Sequence, residues 1–190
     1  MLSGDEAANS GRRKRNWDAL AATLAALIGF LALIVSGYTA YVQRQQVRAQ
    51  VWPYLLVGYA DPDRAMIILD KGVGPAIVRS VEVLVDGKHY ARWSEVLAAL
   101  GIDNPDDHEH STISGNVLSP GERLAMLSIP DDTRYKVFLA QSAHRLATRV
   151  CYCSTLGECW SNVRGESRDR PPVQGVDRCP TLAADEAFKD

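Results

Sequence analysis

The sequence predicts a mainly β domain, a sandwich of about seven strands with one small inserted helix, carried behind a single N-terminal transmembrane helix. Three observations carry that expectation. Residues 19–43 contain no charged side chain. Beyond residue 50 the chain breaks into short runs of β-branched and aromatic residues separated by Gly, Pro, Asp and Asn, the pattern of strands and turns. All four cysteines lie after residue 150, an even number placed in and behind one hairpin-like stretch.

Residues 1–18 form a basic head. Its first ten residues are small, polar and acidic without periodicity, the composition of an unstructured tail. Arg12, Arg13, Lys14 and Arg15 then abut the apolar run, where such a cluster acts as a topology signal and is drawn to anionic lipid. Residues 44–190 carry 17 Lys and Arg against 20 Asp and Glu, so the basic stripe that nucleic acid requires is missing and no nucleic-acid partner is expected.

As a helix, residues 19–43 reach about 37 Å, more than the ~30 Å hydrocarbon core of a bilayer. Trp17 stands before the run and Tyr38 and Tyr41 close it, side chains suited to the headgroup level. A soluble core helix would carry a polar face, yet only Thr23 and Ser36 are polar before Tyr38. A cleavable signal peptide is the other reading, with Val35-Ser36-Gly37 as its small-residue site. The apolar stretch exceeds the usual ~7–15 residues and continues through Tyr38, Tyr41 and Val42, which favours an uncleaved anchor. Four cations precede the span and only Arg44 and Arg48 closely follow it, so the head is expected in the cytoplasm and the rest across the membrane. Ala21, Ala25 and Gly29 recur every four residues on one ridge, a helix–helix contact surface that would suit self-association through the span.

Residues 44–50 are good helix formers without Gly or Pro, and they predict a helical stalk that Pro53 terminates. The β domain is assigned to residues 51–164. Pro53 places residues 51–60 at a sheet edge or as the first residues of a strand, Asp61-Pro62-Asp63 reads as a turn, and residues 64–70 as a core strand. Gly72 and Gly74 suggest a tight bend, with positive φ allowed, before Pro75. A phosphate loop is excluded there because no GxGxxG or GK[ST] pattern is present and a strand follows. Val81, Val83 and Val85 alternate with Ser80, Glu82, Leu84 and Asp86, making residues 77–86 the clearest strand, and Asp86-Gly87 is a hairpin turn leading to a partner at 89–93.

The strand, the Gly-Pro-Ala turn at Gly74-Pro75-Ala76 and the next strand ending in Asp86-Gly87-Lys88 resemble the B–C region of bacterial immunoglobulin-like domains. They also resemble single-span bacterial envelope proteins of unknown function in which Asn-x-Gly-x-Gly-Pro-Ala precedes such a strand; this chain has Asp70 in place of the Asn. The likeness covers residues 51–87 and the cysteine hairpin. It implies an immunoglobulin-like β-sandwich ectodomain and a location in the bacterial inner membrane with the C-terminal domain periplasmic, and it implies no activity.

Residues 93–100 read as a short helix with Ser94 as N-cap and Gly101 past its end. A polar loop follows, in which His108 and His110 stand among carboxylates. They are weak candidate metal ligands, since the spacing fits no helix site and the segment is built of turn residues. His89 and His144 are read as structural. Residues 112–118 predict a strand interrupted at 114–116, residues 119–122 a turn, and residues 123–129 another strand. Residues 133–145 fit both periods. The helical reading is preferred, capped by Asp132 and placing Tyr135, Phe138, Leu139 and Ser142 on one face.

Residues 146–154 and 159–163 predict a hairpin. Cys153 and Cys159 stand near the two ends of its loop and Cys151 shares their face. Four cysteines allow three connectivities; the spacing favours Cys153 with Cys159, leaving Cys151 with Cys179 to pin an otherwise irregular tail, residues 165–190. Zinc or thiol-redox use of these cysteines competes with that reading, but Cys-x-Cys in a strand lacks the helix N-terminus that activates a redox thiol.

No serine, cysteine or carboxylate constellation suggests catalysis, and no catalytic residue or cofactor is assigned. The expected function is that of a non-catalytic interaction or structural module of the cell envelope, partnered by the bilayer and by another envelope protein or a second copy. The alternative is a thiol-redox or metal-binding envelope protein using the cysteine hairpin or the His108/His110 loop.

Overall fold

The computed structural model describes residues 5–166, 171–183 and 185–189, and divides into two compact units, Met1–Val47 and Arg48–Asp190. Helix α1 (Asp5–Gln50) makes up the described part of the first unit and runs three residues into the second. Within it Trp17–Gln50 is long and apolar enough to cross a membrane. Leu20, Leu24, Leu27, Ile28, Leu31 and Leu33 are all exposed, so this helix finds no protein surface to bury them against. Two of its hydroxyls are satisfied within the helix, Thr23 donating to the carbonyls of Ala19 (3.0 Å) and Leu20 (2.9 Å) and Thr39 to that of Val35 (2.9 Å). The helix ends at Gln50, three residues before Pro53. At its other end it begins at Asp5, inside the stretch expected to be unstructured; Glu6, Ala7 and Ala8 are good helix formers and extend a helix already nucleated downstream. The rest of that expected tail lies outside the described residues.

The second unit is built on two antiparallel sheets. The first has the order β1-β2-β6, from β1 (Leu55–Ala60), β2 (Ala65–Asp70) and β6 (Arg123–Ser128). The second has the order β4-β3-β7-β8-β9, from β3 (Ala76–Val85), β4 (Lys88–Tyr90), β7 (Leu146–Cys153), β8 (Cys159–Arg164) and β9 (Val173–Val176), with the short β5 (Val117–Leu118) pairing the start of β3. Helices α2 (Trp93–Ala99) and α3 (Asp132–Arg145) lie in the connections. Both sheets feed one core: Leu55, Val57, Met66 and Ile68 come from the first, Val78, Val83, Val150 and Tyr152 from the second, and Trp93, Leu97 and Phe138 from the helices.

β1 has only one strand neighbour, and its outward backbone groups are met by side chains of the other sheet. Leu55 N–H donates to the Tyr152 hydroxyl (3.2 Å), Asn162 Nδ2 donates to Leu55 C=O (2.9 Å) and Arg164 donates to Val57 C=O (2.9 Å). An edge that would otherwise leave buried polar groups unpaired is thereby closed.

Four local readings need correction. Gly72 and Gly74 do not adopt positive φ. They are needed because residues 51–54 lie directly on them: a Cβ on Gly72 would stand 2.5 Å from Trp52 O, and one on Gly74 would stand 2.2 Å from Val51 C. Ser94 is not the cap of α2; Arg92 holds that position, and Glu95 Oε2 reaches back to accept from Ala91 N–H (3.2 Å). Asp131, one residue earlier than expected, caps α3 by accepting from Arg134 N–H (2.7 Å). Only Val117–Leu118 of the stretch 112–118 is a strand, since Gly115 turns the chain with φ 80° and Asn116 bonds back to Thr112.

The expected irregular tail is also more ordered than its composition suggests. Residues 173–176 form β9 along β8, and Phe188 is buried with its ring 5.0 Å from that of Trp93. Phe188 N–H donates to Val81 C=O (3.0 Å) and Lys189 N–H to Ala91 C=O (2.9 Å).

Candidate functional site at the cysteine hairpin

The site is positioned by strand alternation. Along β7 every second side chain shares a face, so Cys151 and Cys153 point the same way while Tyr152 between them enters the core. The loop from Ser154 to Glu158 is held by the Ser154 hydroxyl, which accepts from the N–H groups of Leu156 (3.2 Å) and Glu158 (3.3 Å), and by Gly157 at φ 81°. That loop fixes the register, so Cys159 falls directly opposite Cys153.

Cys153 and Cys159 are bonded with Cα atoms 4.0 Å apart, and Cys151 and Cys179 with Cα atoms 5.6 Å apart. Among the described residues no cysteine is free. The second bond carries the chain after β9 back across the outer face of β7. Cys151 and Cys153 are buried, whereas Cys159 and Cys179 are partly exposed. Around the three sulfurs of Cys153, Cys159 and Cys179 lies an open cavity of about 470 Å³, rimmed by Arg79 and Arg178 and walled by Val81, Pro180 and Leu182. The two arginines were not identified from the sequence, because each is a single cation in a mixed segment and only the fold brings them together.

These same three sulfurs are the group among the described residues with metal-ligating proximity, and as disulfides they offer no thiolate to a metal. His108 and His110 stand with ring centroids 5.4 Å apart on their loop, but His108 Nδ1 is engaged by the Pro105 carbonyl at 2.8 Å and the neighbouring Asp107 carboxylate by Arg134 at 2.5 Å. The loop does not assemble a third ligand around the two rings. Ala21, Ala25 and Gly29 remain exposed along α1, with open space beside Gly29.

A second cavity, about 410 Å³, is lined by Tyr59, Ser142, His144, Arg164 and Glu166. Its hydroxyls are used locally: Tyr59 donates to Ser142 Oγ (2.9 Å), Ser142 donates to Leu139 C=O (3.3 Å), and the Arg164 guanidinium covers the Tyr59 ring at 4.5 Å. Ser142 is thus engaged away from His144 and the pair does not form a nucleophile with its base.

Comparison of the chain with family models, with curated proteins and with solved structures finds no match.

Proposed function

We propose that the chain is a membrane-anchored, non-catalytic interaction module of the bacterial cell envelope. Residues 19–43 anchor it in the inner membrane, the basic head is cytoplasmic, and the β domain stands in the periplasm. The observation that carries this reading is the pairing of all four cysteines into two disulfides in a domain that follows a membrane-length helix with four cations at its entrance. Disulfides persist on the oxidising side of a membrane, and the cations favour the opposite side for the head.

The domain is read as immunoglobulin-like. Its strand order supports this, because β1-β2-β6 opposite β4-β3-β7-β8 follows the A-B-E and C′-C-F-G order of such sandwiches. It departs from the antibody pattern in placing its cysteines on β7, β8 and the tail, with none on β2. Domains of this kind serve as scaffolds for contact, and the partner expected is another envelope protein or a second copy meeting the Ala21, Ala25 and Gly29 ridge.

Two C-terminal fusions test the placement. A reporter that matures only in an oxidising compartment is expected to be active and one that matures only in the cytoplasm to be silent. The reverse pattern overturns the topology and with it the reason for expecting stable disulfides.

A further inference from the structure

The two disulfides touch each other. Cys153 Sγ lies 3.8 Å from Cys179 Sγ although the two sulfurs belong to different bonds, and the sulfurs of Cys153, Cys159 and Cys179 all fall within 4.8 Å of one another. A thiolate released at Cys153 would therefore already be in contact with a second disulfide. Exposure is graded in the direction such a reaction needs: Cys159 and Cys179 are partly open to the cavity, while Cys151 and Cys153 are 4% and 6% exposed. Arg79 and Arg178 at the rim have no ion-pair partner among the described residues, and an unpaired guanidinium attracts carboxylates and stabilises thiolates.

We propose that this cluster is a thiol–disulfide exchange site for an anionic low-molecular-weight thiol, through which opening of the Cys153–Cys159 bond is relayed to the Cys151–Cys179 bond. The incoming thiolate attacks the sulfur of Cys159. A mixed disulfide forms there, the Cys153–Cys159 bond breaks, and Cys153 leaves with the electron pair as thiolate. Cys153 then attacks Cys179, forming a Cys153–Cys179 bond and expelling Cys151 as thiolate, which takes a proton. A second thiol attacks the mixed disulfide and frees Cys159. Two thiols are oxidised to one external disulfide, and the protein gains thiols at Cys151 and Cys159 while the tail staple moves two residues along β7.

This reaction goes beyond the role as an interaction module and does not depend on it. The test uses the full-length protein in mild detergent, reduced briefly with glutathione, quenched with acid, alkylated and mapped by mass spectrometry. A species carrying the Cys153–Cys179 bond with Cys151 and Cys159 modified is expected. The Cys159→Ser variant starts with Cys153 already free, so it reads the relay step alone, and alkylation is expected to divide between Cys151 and Cys153. Label confined to Cys153 in that variant, with Cys151–Cys179 intact, overturns the relay. So does a Cys153–Cys159 bond that glutathione opens only after denaturation. In the Arg79→Gln/Arg178→Gln variant, reduction by glutathione is expected to slow about tenfold relative to reduction by neutral 2-mercaptoethanol, with the difference shrinking at 1 M salt. Equal slowing of both thiols overturns the assignment to an anionic thiol.

Discussion

Asp70 shows how much one side chain can hold. Its Oδ1 accepts from Tyr54 N–H (3.1 Å) and Gly72 N–H (2.7 Å), joining the segment that leads out of α1 to the bend under it, while Oδ2 is buried without a partner. Asn at this position keeps the accepting oxygen and replaces the unpartnered one. Asp70→Asn is therefore expected to leave the denaturation midpoint nearly unchanged, whereas Asp70→Ala strands two N–H groups and costs about 1–3 kcal/mol in a urea titration. Tyr152 is the matching case in the core. Burial pushes its hydroxyl up to about 12, the bond from Leu55 opposing that shift. A folded-state value above the unfolded one means that the neutral phenol's contribution is complete below about pH 10 and is lost as pH rises through about 12. Tyr152→Phe should remove that share of the alkaline loss of stability and cost about 1–3 kcal/mol at neutral pH by orphaning Leu55 N–H. The glycine pair was legible as a special place, but its cause was not. Positive φ is a local property that a sequence can suggest, and contact with residues 51–54 is a tertiary one that it cannot.

Among the elements, those with a strong local signal were readable. The strand through Val81, Val83 and Val85, the Asp86-Gly87 turn and the face of Tyr135, Phe138 and Ser142 all appear where they were expected, though Ser80, Glu82 and Leu84 are buried as well, so β3 is covered on both faces. Helix starts were read one or two residues off: Asp131 and Asp132 are both able to cap and only the final turn geometry decides, while α2 starts from Arg92 with no side-chain cap for a sequence to show. Asp131→Ala should destabilise the domain by about 1 kcal/mol, measured by thermal melting, and Asp132→Ala by clearly less, since only the first accepts from the helix backbone. β9 and Phe188 escaped notice for another reason. A four-residue strand and one isolated aromatic carry no period, and what holds them lies far away in the chain: β8 for the strand, and Trp93 and the Val81 carbonyl for Phe188.

For the molecule as a whole, the helix of membrane length and the mainly β character followed from composition and patterning, while the division of the strands between two sheets depended on pairings far apart in the chain. The Cys151–Cys179 bond closes a separation of 28 residues, and loop entropy assigns it about 3–4 kcal/mol. Cys151→Ala/Cys179→Ala is expected to lose that much in denaturant and to open β9 and the segment around Phe188 to hydrogen exchange first, while the Cys153–Cys159 hairpin stays protected. A uniform loss of protection would show that the tail is no separate unit. The position of Cys179 also sets an order on biosynthesis. Cys151, Cys153 and Cys159 leave the ribosome first, and from Cys159 until Cys179 follows the chain holds three cysteines, an odd number. Any truncated product ending between residues 159 and 178 therefore carries an unpaired thiol whatever bonds it forms within itself, a chemical mark that chains reaching Cys179 lack.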